Sequence, residues 1–148
     1  MFAKFSILLI ISAVAVGLLV GCPKEAAPPS DGTLTLRVTA ADAHNGAFFY
    51  YAVGNAGADL SNPDNWIGVA PTSPTIASGT VECVTVVYGG AGEEAIFTGG
   101  NSYDASGIID VDLSGSMTSG DYSFADTVIV DGDTLLNLVY PTDFVAVP

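Results

Sequence analysis

Strict alternation of apolar and polar residues from Thr33 onward is the feature that most narrows the fold. Leu34, Leu36, Val38 and Ala40 fall on one side, and Thr33, Thr35, Arg37 and Thr39 on the other. A period of two marks a half-buried β-strand, because successive side chains of a strand point to opposite faces. No stretch beyond residue 32 carries a 3.6-residue period, so that part of the chain is expected to be all-β.

Further strands are expected at Ala47–Val53, Thr80–Tyr88, Glu94–Thr98, Gly107–Leu113, Tyr122–Val130 and Thr134–Tyr140, with a short one near Phe144–Val147. The Ala47–Val53 run has aromatics on both faces, which suits a central strand or one whose outer face is covered. Asn45-Gly46 predicts a hairpin turn between the first two strands, since both residue types tolerate positive φ. Gly89-Gly90-Ala91-Gly92 and Asp131-Gly132-Asp133 read as hairpin turns as well. Asn62-Pro63-Asp64-Asn65 predicts a single helical turn with Asn62 as N-cap. Seven or eight short strands over residues 33–148 predict an antiparallel β-sandwich, immunoglobulin-like or related, with a small barrel as the alternative. The Cys…Trp…Cys spacing of antibody domains is missing.

The 148 residues carry 16 Asp and Glu against 3 Lys and Arg, a net charge of −13. Such a chain has little with which to displace the counterions of a nucleic acid, so none is expected as a partner. An apolar share of 49 % supports one core and argues against disorder.

Phe5–Gly21 contains no charge and is rich in Ile, Leu, Val and Ala. As a helix it would span about 25 Å, short of a hydrocarbon core of about 30 Å, so a signal-peptide core is expected in preference to a membrane span. The run closes on Leu19-Val20-Gly21-Cys22, which resembles the lipobox of bacterial lipoproteins. The resemblance covers residues 1–22 only. It implies cleavage between Gly21 and Cys22, a diacylglyceryl thioether on the Cys22 sulfur and an acyl chain, such as palmitate, on the new amino group. Pro23 in place of Asp implies the outer membrane in preference to the inner one. Two or three chains anchor stably where one does not, at about 0.8 kcal/mol per buried methylene. Residues 22–32, with three prolines, then read as a semi-extended tether of up to about 31 Å, ahead of a domain at 33–148.

From Cys22 on, only Lys24 and Arg37 oppose all 16 acids, a side-chain balance of −14. Twelve of the acids are Asp, a residue that favours turns through hydrogen bonds to nearby backbone. A salty habitat or calcium binding are the sharper readings of this acidity. Candidate calcium ligands are Asp110 with Asp112 on one strand face, Asp131 with Asp133 at a turn, and Asp59 with Asp64 in a loop. None fits the calcium-loop spacing D-x-[DN]-x-[DN]-G.

His44 is the sole histidine and is expected in a solvated turn, so Ser-His or Cys-His catalysis has a single candidate base. G-x-S-x-G, S-x-x-K and a Walker lysine are lacking, and Cys83 with His44 cannot complete a four-ligand zinc site. Cys83, among β-branched residues, reads as a small buried hydrophobe. The aromatics offer a platform for a sugar or a protein edge, with Trp66 and Tyr103 as its leading members because both fall in expected loops. The sequence therefore predicts a lipid-anchored, extracytoplasmic, monomeric module of the cell envelope. It is expected to be non-catalytic, to need no cofactor, and to meet an envelope protein or a glycan.

Overall fold

The computed structural model describes residues 26–70, 74–77, 82–89 and 92–148. The signal-peptide and Cys22 expectations lie outside the described residues, as do the first part of the tether, the start of the strand expected at Thr80, and Gly90 with Ala91.

The chain is all-β. Eight strands, β1 (Leu34–Thr39), β2 (Phe48–Asn55), β3 (Gly68–Val69), β4 (Glu82–Val86), β5 (Ser102–Asp110), β6 (Tyr122–Ile129), β7 (Thr134–Val139) and β8 (Val145–Ala146), form two sheets. The smaller sheet has the order β4-β1-β7 and the larger β3-β2-β5-β6-β8. Pairing is antiparallel throughout except between β1 and β7, which run parallel with Leu36 opposite Leu136. Among the described residues no helix is long and apolar enough to cross a membrane.

Alternation turns directly into burial. Leu34, Leu36 and Val38 of β1 are fully buried while Thr35, Arg37 and Thr39 are half-buried. Leu136 and Leu138 of β7 repeat the pattern against exposed Leu135 and Val139. These side chains share one cluster with Phe49 and Val53 of β2, Ile109 of β5 and Phe124 and Val128 of β6, so the two sheets bury a common core. β2 is central, between β3 and β5, in keeping with its aromatics on both faces. Cys83 is buried and free, and burial pushes its thiol pKa up.

Four expectations need correction. Asn45-Gly46 does not close a hairpin, because β1 and β2 belong to different sheets. Asn45 has φ −56° and ψ 125°, Gly46 has φ +88°, and the Ala47 N–H donates to the His44 carbonyl at 2.9 Å. That is type II geometry, which does not match the twist of a two-stranded ribbon and here carries the chain from one sheet to the other. Asp131-Gly132-Asp133 likewise passes from β6 of one sheet to β7 of the other. The strand expected at Gly107–Leu113 begins at Ser102 and ends at Asp110, where side chains take over the backbone donors. Glu94–Thr98 makes only isolated bridges, Tyr88 with Glu94 and Gly32 with Phe97.

Candidate functional site

Beyond β2 the chain turns back over the outer face of the larger sheet. Gly54 marks the crossing, since a Cβ there would stand 2.6 Å from the Asn65 carbonyl oxygen and 2.7 Å from Leu60 Cδ2. Asn62 caps the 3-10 turn Pro63–Asn65 by accepting from the Asp64 N–H at 3.1 Å, as its sequence predicts. The turn delivers Trp66, whose Nε1–H donates to the Leu60 carbonyl at 2.9 Å. Trp66 remains 40 % exposed, and with its one polar atom committed it offers only aromatic surface.

Leu60 separates two hollows on this face. One, of about 550 Å³, lies between Asp59 and Leu60 of the loop and the strand residues Asp104, Ser106, Ala125 and Thr127. The other, of about 300 Å³, is floored by Ala52, Ser106 and Ile108 and walled by Tyr50, Leu60 and Trp66. Both share Leu60 and Ser106, and neither is lined by Lys or Arg. The Asp104 carboxylate accepts from the Thr127 hydroxyl and from the Gly57 N–H, each at 2.7 Å. Asp59 accepts from the Ser61 hydroxyl at 2.7 Å and the Ser61 N–H at 3.0 Å. These bonds favour the charged form and hold both carboxyls below the usual carboxylate range.

A second acidic grouping closes the 111–121 connection. Asp110, Asp112 and Asp121 each place a carboxylate oxygen within 4.8 Å of the others. Asp110 is fully buried, contrary to the solvated face that alternation assigns it. Its oxygens accept from the Ser114 N–H at 3.2 Å and the Gly115 N–H at 2.8 Å. Asp121 accepts from the Val111 and Thr118 N–H groups at 2.9 and 2.7 Å. Asp112 accepts from the Ser114 N–H and the Thr118 hydroxyl, both at 3.0 Å, and its pKa is lowered by the Ser114 side chain first, then by the Ser114 N–H and the Thr118 hydroxyl. Three carboxylates can supply three of the six to eight oxygens a calcium ion takes.

Asp131 and Asp133 do not join them. Asp131 accepts from the Ser30 N–H at 3.0 Å, and Asp133 from the Thr33 N–H and hydroxyl at 3.1 and 2.9 Å. The Asp133 pKa is lowered by the same Thr33 donors. With Asp31 accepting from the Gly99 N–H at 2.8 Å, they clasp the segment that leads into β1.

Comparison with known proteins finds no matching family model, curated protein or solved structure.

Two residues sit elsewhere than expected. Tyr103 belongs to β5, is buried, and packs edge-on against Phe97 with centroids 4.9 Å apart. Its hydroxyl accepts from the Thr98 N–H at 2.9 Å, so it fills the core and is no platform member. His44 is also buried, 4.8 Å from the Tyr122 ring and 4.6 Å from that of Tyr140, with no hydrogen-bond partner for Nδ1 among the described residues. Leu60, Asp104 and Asp121 carry these sites without a motif to flag them. An apolar residue inside an otherwise polar loop is the one signal that Leu60 offers.

Proposed function

We propose that the chain is a lipid-anchored, extracytoplasmic β-sandwich of immunoglobulin-like type, serving as a non-catalytic interaction module of the bacterial cell envelope. The Leu19-Val20-Gly21-Cys22 run carries this reading, because it would place acyl chains ahead of a proline-rich tether. Ser30 to Thr33, held by Asp131 and Asp133 and by the bond of its own Asp31 to the Gly99 N–H, is where such a tether would meet the domain. Two sheets with a common core support the sandwich, and the single parallel pair β1·β7 supports a topology beyond simple hairpins. The burial of His44 between two tyrosine rings supports the non-catalytic reading, since a base must reach its substrate.

The test is fractionation. Wild-type protein should stay with outer membranes through an alkaline wash and take up an alkyne-tagged fatty acid, while Cys22→Ser should take up none. Equal labelling of the two would refute the anchor.

A second reading, a calcium-binding module, is favoured by the convergence of Asp110, Asp112 and Asp121. Thermal melts in sodium, magnesium and calcium chloride at matched ionic strength separate it from a merely acidic surface. Screening of self-repulsion gives a rise with every salt, and this is the outcome expected. A saturable, calcium-only rise that Asp121→Asn abolishes would put the second reading first.

A further inference from the structure

The two hollows on the outer face of the larger sheet differ in chemistry and adjoin across Leu60. One presents the ionised carboxylates of Asp59 and Asp104, and the other the aromatic wall of Trp66 and Tyr50 over a floor of small residues. A single point cation would engage only the first, and a purely apolar ligand only the second. Two adjoining hollows of unlike character on one face suit a ligand bearing a cationic and an apolar group two residues apart in an extended peptide, since alternate side chains share a face. The acidic lining and the −14 balance from Cys22 on favour positive charge and repel acidic partners. Trp66 is the best aromatic surface for the stem of an arginine or for an adjoining aliphatic side chain.

We propose that this groove docks a basic, extended segment of a partner protein, with an arginine or lysine entering beside Asp59 and Asp104 and an apolar residue two positions along lying on Trp66 and Tyr50. The assignment deepens the interaction-module reading and rests on it.

Trp66 is the sole tryptophan, so its emission reports the groove directly. The full-length protein in non-ionic detergent would be titrated with the hexapeptide Arg-Ser-Leu-Ser-Arg-Ser, which when extended presents Arg and Leu on one face, with its twin carrying Glu in place of Arg, and with a neutral N-acetylglucosamine oligomer. The Arg-bearing peptide should shift Trp66 emission saturably and the Glu-bearing twin should not. Calorimetry should show binding about tenfold weaker in Asp59→Asn, in Trp66→Ala, and in Ser106→Arg, which fills the shared floor, with little change in Asp42→Asn. Equal weakening in Asp42→Asn would reduce the effect to generic charge and overturn the proposal, as would binding unchanged in Ser106→Arg. Response to the sugar alone would overturn the basic-segment assignment while leaving the interaction-module reading standing. Silence toward all three ligands would count against both.

Discussion

The Tyr51 hydroxyl lies 3.2 Å from the Thr85 hydroxyl and donates to the Val86 carbonyl at 3.0 Å, tying β2 of one sheet to β4 of the other. Burial raises the Tyr51 pKa well beyond its ordinary value, so the phenol stays a donor at any physiological pH. Removing the hydroxyl with Tyr51→Phe leaves buried Thr85 with only its 3.4 Å contact to the Val86 carbonyl. The cost should be about 1–2 kcal/mol in urea unfolding. A double-mutant cycle with Thr85→Val should show coupling, and strict additivity would mean the bond contributes nothing.

The period-two pattern makes β1 legible residue by residue, and Asn62-Pro63 announces its own capped turn; in β7, Leu135 and Val139 are as apolar as Leu136 and Leu138 yet exposed, so its inner face is not marked in the sequence. What the pattern cannot carry is partnership. Asn45-Gly46 is compatible with both a hairpin and a type II crossing, because the choice depends on the φ of Asn45, which the dipeptide leaves open. Asp110 follows alternation onto an outer face, yet it is buried because the amides of Ser114 and Gly115 fold around it. His44 and Tyr103 are drawn inside by rings distant in sequence, Tyr122 and Tyr140 for one and Phe97 for the other. In the groove, Trp66 was legible as an exposed loop aromatic, whereas Asp104 acquires its role only through Gly57 and Thr127 on neighbouring segments.

Acid should destabilise the fold in two stages. Burial lowers the His44 pKa below 6.5, so on acidification the unfolded chain takes up a proton before the folded one does. This contribution is complete above about pH 6.5 and is lost as pH falls toward the folded value. Asp59, Asp104 and Asp133 have lowered pKa values, so their contribution holds above the ordinary 3.8 and is lost as pH falls through their folded values. His44→Phe, which keeps a ring between Tyr122 and Tyr140, should flatten the first stage in pH-dependent melts and leave the second. A first stage unchanged in that variant would assign it to other groups.

The clasp on the segment entering β1 predicts local protection. The Ser30 and Thr33 amides, held by Asp131 and Asp133, should exchange slowly with deuterium. Asp131→Ala should speed exchange at Ser30 and Asp133→Ala at Thr33, with β5 and β6 amides unaffected. Fast exchange at both positions in the wild type would mean that the clasp does not hold.

Intact-mass and peptide mass spectrometry of protein extracted from membranes reads the lipid state of Cys22 directly. The amino-terminal peptide should begin at Cys22 and carry a diacylglyceryl group on sulfur, together with an acyl chain on the amino group. Protein that retains residues 1–21, or whose Cys22 bears no lipid mass, would contradict it.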